Sequence, residues 1–319
     1  MSKQILGIHH VTAIAGDPQT NLDFYAGVLG LRLVKLTVNF DDPGTYHLYY
    51  GDGAGHPGTI LTFFPWPNAP KGHRGTGQVT RTSFAIAENA VDFWTARLSE
   101  RRVAFEGPFN RFGEQVISFS DPDGLGIELI ASKITRSDRS YAAGPVPLDF
   151  AIRGFHSATL CESDHRETAA LLTCTMGFKL VGEEGNRFRY AADSAEQARF
   201  VDVLRAPEER PGRVLRGTVH HIAWRTTDDE QQRGWLAELT RLHYGVSPVM
   251  DRKYFHSIYY REPGGILFEI ATDPPGFAVD EAPEELGSKL VLPAWLEPER
   301  KNLESVLPPL RPVGEETSV

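Results

Sequence analysis

Two pairs of adjacent histidines are the residues of this chain whose types and spacing most favour metal chemistry. His9 and His10 lie in GIHHVTAI near the N-terminus, and His220 and His221 lie in TVHHIAW much later in the chain. A glutamate, Glu269, follows the second pair in ILFEIA. Two imidazoles and one carboxylate leave open positions on a divalent metal, a ligand set typical of non-haem Fe(II) enzymes that use O2. These residues predict a metal centre if the fold brings them together.

Four segments of the chain share one plan, which explains how residues so far apart in sequence meet. Each segment opens with a β-rich run, continues with an amphipathic stretch and closes with three more β-rich runs. The pattern predicts an α+β fold of four βαβββ modules. They span about residues 7–65, 80–131, 153–204 and 216–271.

The four modules are predicted to form two halves joined by a segment that contains glycine and proline. We predict an N-terminal domain at residues 1–135, a linker at 136–152 and a C-terminal domain at 153–285. A tail at 286–319 carries enough leucine, valine and tryptophan to pack on the body. Its last residues, 314–319, are expected to be disordered.

Alignment of the modules against one another predicts a single complete site. The position of Glu269 in the last strands is predicted to hold Phe63, Glu128 and Asp202 in the other modules. The position of the second histidine in the first strands is predicted to hold His10, Thr82, Ser157 and His221. Only modules one and four then supply two histidines and a carboxylate. Phe63 is predicted to leave the fourth ligand position open and to form an apolar wall for an aromatic ring. Glu128 is interpreted as a degenerate copy of Glu269.

Strand periodicity does not decide which histidine of each pair binds the metal. Side chains alternate across a strand, so His10 and Thr12 share one face while His9 and Val11 share the other. Neighbours on a regular strand cannot both face one cavity. Five further histidines are interpreted as surface or turn residues, namely His47, His56, His73, His165 and His243.

Composition argues against several classes of function. The chain has 319 residues, a net charge of -9 and a pI near 5.7, which is unfavourable for a nucleic-acid partner. It has no apolar run long enough for a membrane span. An N-terminus without an apolar signal core and only two cysteines predict a cytoplasmic, reduced setting.

This organisation resembles the vicinal oxygen chelate superfamily, which includes glyoxalase I, bleomycin-resistance proteins and type I extradiol dioxygenases. Longer strings are similar to the hydroquinone ring-cleaving dioxygenases, among them HHVTAIAGDPQTNLDFYAGVLGLRLV, VHHIAW and DRKYFHSIYYREPGGILFEIATD. The resemblance covers roughly residues 5–310 and implies two tandem domains with open β-barrel cups.

The resemblance also implies which residues act. It places Fe(II), with Mn(II) as the alternative, on His10, His221 and Glu269. It places five residues around the metal and its substrate, namely His9, Thr12, His220, Arg252 and Tyr259. The implied partners are a small aromatic substrate and O2, and a homo-oligomer is expected.

Three alternative functions remain open. An extradiol catechol dioxygenase typically takes its histidines from modules three and four, whereas Ser157 stands in the third-module position here. A glyoxalase-like isomerase or lyase usually keeps a fourth protein ligand, and a metal-free binding protein lacks the triad. We therefore predict an Fe(II)-dependent dioxygenase that inserts O2 into a hydroquinone-type ring.

Overall fold

The structure, a computed structural model, describes residues 4–133, 139–193 and 198–313. All four modules have the predicted βαβββ order. The strands of modules one and two are β1 (Ile8–Ala15), β2 (Arg32–Asn39), β3 (Asp42–Gly51), β4 (Ile60–Pro65), β5 (Gln78–Ile86), β6 (Phe105–Arg111), β7 (Glu114–Ser120) and β8 (Gly126–Ala131). Those of modules three and four are β9 (Phe155–Glu162), β10 (Phe178–Glu184), β11 (Arg187–Ala192), β12 (Phe200–Arg205), β13 (Thr218–Thr226), β14 (Met250–Asp251), β15 (His256–Arg261) and β16 (Leu267–Thr272).

In the described part of the chain, one α-helix follows the first strand of each module, and a fifth lies in the tail. They are α1 (Pro18–Leu22), α2 (Val91–Glu100), α3 (Arg166–Ala170), α4 (Asp229–Arg241) and α5 (Arg300–Val306). In modules one and three the helix continues as a π-helical turn, at Asp23–Val28 and Leu171–Thr175. The first helix begins at a side-chain cap, since the Asp17 carboxylate accepts a hydrogen bond from the Thr20 amide at 2.7 Å.

The strands form two curled eight-stranded sheets, each of which joins two modules. The first sheet has the order β14-β15-β16-β13-β1-β4-β3-β2, so it combines modules four and one. The second has the order β10-β11-β12-β9-β5-β8-β7-β6 and combines modules three and two. The first strands of two modules pair antiparallel at the middle of each sheet, and first and last strands within a module pair parallel. Each sheet therefore has approximate two-fold symmetry about its central seam.

The predicted halves of the sequence and the two sheets are different divisions of the chain. The bounds 1–135 and 153–285 separate the repeats along the sequence, and they stay a prediction. Each sheet takes one module from either half. We call the concave face of the first sheet the first cup and that of the second sheet the second cup.

The tail and part of the linker pack on this body. In the tail, the side chains of Leu286, Leu292 and Leu307 are buried. In the linker, the Val146 side chain is buried against Gly30, leaving no room there for a Cβ atom. Residues 136–138 of the predicted linker and 314–319 of the tail lie outside the described residues. Within the described parts of the chain, no helix combines the length and apolarity that crossing a membrane requires.

A buried pair of carboxyl groups, Glu162 and Glu262, joins modules three and four. The Glu262 carboxylate accepts hydrogen bonds from the Thr168 hydroxyl at 2.7 Å and the Ile266 amide at 2.8 Å. Burial, and then the charge of Glu262, raise the pKa of Glu162 well above its ordinary value. Glu162 is therefore the member of the pair that retains a proton at neutral pH.

This pair makes stability depend on pH. Because folding raises the pKa of Glu162, the stability that this residue contributes is fully present below the ordinary carboxyl pKa. That stability is lost as the pH rises through the folded-state pKa of Glu162. Glu162→Gln, which imitates the protonated acid, should raise Tm by roughly 2–4 °C at pH 8 and change it little at pH 4. The exposed Glu167→Gln on the same module serves as the control. An equal Tm change at both pH values would contradict the proton assignment.

Candidate metal centre

The seam between β1 and β13 brings the three predicted ligands together in the first cup. Antiparallel pairing places His10 opposite Ala223, and Thr12 opposite His221. The parallel strand β16 then places Glu269 beside Ala223. Thus two strand registers carry two imidazoles and one carboxylate to one point, although the residues are far apart in sequence.

The geometry of these three side chains fits a divalent metal. The Nε2 atoms of His10 and His221 lie 3.3 Å apart and lie 3.2 and 2.9 Å from Glu269 Oε2. Ligands at right angles on metal bonds of about 2.1 Å lie roughly 3.0 Å apart, so the three atoms match one face of an octahedron. Glu269 Oε2 is buried and has no hydrogen-bond partner among the described residues. An oxygen left in this way beside two ring nitrogens is suited to a cation.

Electrostatics at this point also suit a cation. Burial opposes ionisation of Glu269, but His10 and His221 nevertheless hold its pKa well below the ordinary value. The Glu269 Oε1 atom accepts a hydrogen bond from the Ser257 hydroxyl, which fixes the carboxylate and leaves Oε2 for the metal. Burial lowers the pKa of His221, which favours the neutral imidazole that a metal requires.

The first histidine of each pair contacts the second, contrary to the prediction from strand alternation. The Nδ1 atoms of His9 and His10 lie 2.9 Å apart, and those of His220 and His221 lie 2.8 Å apart. The strand register shifts between Ile8 and His10, and again opposite His220, so each first histidine lies at a β-bulge. A bulge re-aims a side chain, which a regular period of two does not predict.

The first histidine of each pair, His9 or His220, is here called the outer histidine, and the two have different surroundings. The Nε2 atom of His9 lies 3.2 Å from the Thr272 carbonyl, so it carries the ring proton and donates it there. Nδ1 of His9 then accepts from Nδ1 of His10, which leaves Nε2 of His10 with a free lone pair for the metal. His220 holds His221 in the same way, but its Nε2 has no described protein partner and the ring lines a cavity. Burial and His221 lower the pKa of His220 to about 3, so this ring is neutral at pH 7.

The residue at the fourth ligand position is Thr62, and the prediction of Phe63 is wrong by one residue. Thr12, two residues after the ligand His10, pairs with Thr62. In the same way Ala223, two residues after the ligand His221, pairs with Glu269. The Thr62 hydroxyl lies 2.9 Å from that of Thr12 and 2.8 Å from Nε2 of His47. Phe63 points to the opposite face, where it packs in the core at 4.5 Å from the Tyr25 ring. The fourth position thus holds a neutral hydroxyl, so the conclusion that it lacks a strong ligand stands.

Among the residues that the structure describes, the second cup carries no comparable set of histidines. Ser83 pairs with Glu128 there, and the second-histidine position lies two residues before the residue that pairs with the carboxylate. Arg81, not the predicted Thr82, therefore occupies that position in module two. Glu128 is buried and accepts from Ser83 at 2.8 Å and from both terminal nitrogens of Arg111. Asp202 accepts from Arg189 at 2.7 Å. Within the described residues, His10, His221 and Glu269 are the one group of this kind that converges on a point.

A cavity of about 430 Å³ opens over the candidate ligands, a size suited to a small molecule. Its apolar walls include Phe64, Trp66 and Phe255. The Phe64 and Trp66 rings stack at 6.0 Å, and Phe255 lies 4.9 Å from the His10 ring. The aromatic wall that the sequence assigned to Phe63 is therefore formed by Phe64, its neighbour, together with residues from other loops.

His47 is a cavity residue that sequence reasoning missed. It was predicted to lie at the surface or in a turn, and that prediction is wrong because His47 lies on β3 and lines the cavity. Its Nδ1 lies 2.9 Å from the Tyr49 hydroxyl, and its Nε2 bonds Thr62. By strand register His47 and Tyr49 are the symmetry counterparts of Ser257 and Tyr259. Comparison of the third strands of modules one and four is the signal that could have found it.

Arg252 and Tyr259 lie together at the cavity wall. Arg252 Nε donates to the Tyr259 hydroxyl at 3.2 Å, and Nη1 donates to Asp41 at 3.0 Å. The Tyr259 ring lies edge-on to His221 at 5.7 Å. Burial, and then Glu269, raise the pKa of Tyr259, so it keeps its proton. Tyr260 faces the core instead, as strand alternation predicts.

Comparison with known proteins agrees with this fold. Residues 7–129 and 154–270 match the Glyoxalase/Bleomycin resistance protein/Dioxygenase superfamily. The chain belongs to this superfamily. It is 50% identical over 309 residues to "Putative ring-cleaving dioxygenase MhqO" of Bacillus subtilis, covering 97% of this chain and 98% of that protein. It is 36% identical over 305 residues to the chlorohydroquinone/hydroquinone 1,2-dioxygenase of Sphingobium indicum, covering 93% and 94%.

Solved structures of superfamily members share the architecture. A crystal structure described as a "putative dioxygenase" from Bacillus subtilis has a TM-score of 0.93 at 50% identity, covering 97% of this chain and 99% of that one. Glyoxalase I of Zea mays has a TM-score of 0.61 at 14% identity, covering 85% and 93%. The second likeness shows that the fold is shared and carries nothing further about activity.

Proposed function

We propose that this chain is a ring-cleaving dioxygenase that uses Fe(II), with Mn(II) as the alternative metal, on a hydroquinone-type ring. The observation that carries the proposal is the three-ligand site of His10, His221 and Glu269 with the neutral Thr62 in the fourth position. Two relatives that align over nearly the whole chain are named as ring-cleaving or hydroquinone dioxygenases, which supports the same reaction class.

The metal, when bound, supplies Lewis acidity toward a phenol hydroxyl and a redox centre for O2. The chain's own residues position and protect the reactants. Phe64, Trp66 and Phe255 present apolar ring faces to an aromatic substrate and exclude water from the cavity. Proximity of the two reactants in this enclosed space then contributes to the rate.

Two side chains that line the cavity can donate hydrogen bonds to reactants there. Neutral His220 accepts from His221 at Nδ1 and so carries its proton on Nε2, and its ring lines the cavity. It can donate a hydrogen bond to an oxygen that develops negative charge. Tyr259 accepts from Arg252, which directs its own O–H proton away from the guanidinium. His9, which is tied to Thr272, orients His10 and takes no part in proton transfer.

Oxygen consumption by the reconstituted protein tests this proposal. Metal-free protein loaded anaerobically with Fe(II) should consume equimolar O2 with hydroquinone, and more slowly with catechol. Zn(II)-loaded protein is the matched control and should consume none. Absence of uptake with either phenol, together with isomerase activity toward a 2-oxoaldehyde hemithioacetal in the Ni(II) or Zn(II) form, would reject the dioxygenase in favour of a glyoxalase-like enzyme.

A further inference from the structure

The second cup has the strand framework of the metal centre but holds arginines. A cavity of about 320 Å³ there is lined by Arg74, Arg81, Arg111 and Arg187. Arg81 stands where modules one and four have a histidine ligand. Four guanidinium groups around one cavity are unfavourable unless anions balance them. The question is which of them the protein itself neutralises.

The deeper arginines have protein partners. Arg111 donates to both Glu128 oxygens, at 2.8 and 3.0 Å. Arg187 donates to Asp202 at 3.2 Å and to the Thr159 hydroxyl at 2.9 Å. Behind them, Arg189 is shared between Asp202 and Glu114, and Glu114 also contacts His156 at 3.1 Å. These ion pairs fix the side chains at the bottom of the second cup, and the carboxylates there balance most of the charge of the deeper arginines.

The outer two arginines, Arg74 and Arg81, form fewer contacts with carboxylates. Arg74 Nη1 is buried without a hydrogen-bond partner, and no ion pair of Arg74 exists among the described residues. Arg81 donates to the Thr80 carbonyl at 3.0 Å, but its Nε lies 3.8 Å from Glu128, too far for a hydrogen bond. A Cβ atom on Gly126 would collide with Nη1 of both arginines, so the two guanidinium ends converge over one glycine.

Two carboxylates occupy the rim of the cavity without pairing to these arginines. Glu106 and Glu209 line it but are exposed, where solvent and salt screen their charge. Neither lies within ion-pair distance of Arg74 or Arg81 in the described chain. Two converging guanidinium groups with unused donors remain at the mouth of the cup.

We propose that Arg74 and Arg81 form a binding site in the second cup for a small oxyanion, presented as a carboxylate or a phosphate group. Guanidinium forks bind such groups through paired hydrogen bonds, and an oxyanion would satisfy the buried Nη1 of Arg74. An adjoining groove of about 590 Å³ shares both arginines and adds Arg101 and Arg102. It leaves space for the rest of an organic anion. This site is separate from the metal centre and does not depend on the proposed reaction.

Calorimetric titration of the full-length, metal-free protein tests the site. Sodium maleate and sodium phosphate, each in a low-salt buffer, distinguish the two anion types. At least one should bind saturably with Kd below about 1 mM. Arg74→Gln should weaken that binding at least 10-fold, and it should leave Tm unchanged because Arg74 has no partner to lose among the described residues. Arg81→Gln should weaken it similarly, and Arg81→Lys should recover part of the affinity.

Two variants locate the binding. Arg233→Gln, on the exposed side of α4, should bind the anion like the wild type. Arg252→Gln removes the cation of the first cup and should also leave the affinity unchanged. Saturable binding of neither anion would overturn the proposal, as would equal affinity in Arg74→Gln and wild type. Loss of binding in Arg252→Gln would overturn it too, because the anion would then lie in the first cup.

Discussion

Glu269→Gln should abolish metal binding while the protein stays folded. The amide keeps the size of the side chain and a hydrogen-bond partner for Ser257, but it removes the charged Oε2 that lies close to both Nε2 atoms. Loss of an outer hydrogen-bond partner costs a metal site about 10–100-fold, and loss of a ligand should cost more. We expect metal content below about a tenth of the wild-type value and O2 turnover reduced more than 100-fold.

Glu128→Gln is the matched control, since Glu128 occupies the same strand position in the second cup. This substitution breaks the paired hydrogen bonds to Arg111, so it should lower the free energy of unfolding by on the order of 3 kcal/mol. It should keep one metal per chain. Metal content by elemental analysis and urea unfolding measure the two effects separately. If both variants keep the metal, or both lose it, the assignment of the site to the first cup is wrong.

The sequence predicted the four modules and the convergence of modules one and four because these depend on repeated hydrophobic patterns. It mispredicted Phe63 because Gly58 was matched with Gly264, the first glycine of GGILFEIA, whereas the structure matches it with the second, Gly265. In the structure, the residue that corresponds between the last strands of the four modules has a positive φ and lies four positions before the position of Glu269 or its equivalent. Gly58, Gly124 and Gly265 have φ of 91°, 101° and 99°, and Ala198 of module three has φ of 53°. Turn conformation, not glycine spacing, sets the register of each last strand.

The relation between His9 and His10 could not be predicted because it depends on a bulge. A regular strand sends neighbouring side chains to opposite faces, and no residue type in IHHVT marks the extra residue. The bulge becomes visible only in the pairing of β1 with β13. The cavity walls posed a similar difficulty, since Phe40, Phe64 and Phe255 come from separate segments whose meeting depends on the closure of the sheet.

Substitutions of the two outer histidines should separate metal binding from turnover. Both rings hold a ligand imidazole through an Nδ1–Nδ1 contact, so His9→Gln and His220→Gln should each weaken metal affinity, by about 10–100-fold. At saturating metal the kcat values of the two variants should differ. The His9 Nε2 proton is committed to the Thr272 carbonyl, so His9→Gln should recover kcat to within a few-fold of wild type.

His220→Gln should not recover kcat, because the Nε2–H of a ring that lines the cavity is lost whatever the metal occupancy. A positioned hydrogen-bond donor to developing negative charge contributes about 100-fold or more to a rate, so we expect at least that loss in kcat. Metal titrations followed by O2 uptake at saturating metal provide both quantities for each variant. Equal kcat losses would show that both histidines serve only to orient ligands, and a larger loss for His9→Gln would reverse the assignment. The difference follows from one contact, the Thr272 carbonyl that fixes one outer ring and has no counterpart for the other among the described residues.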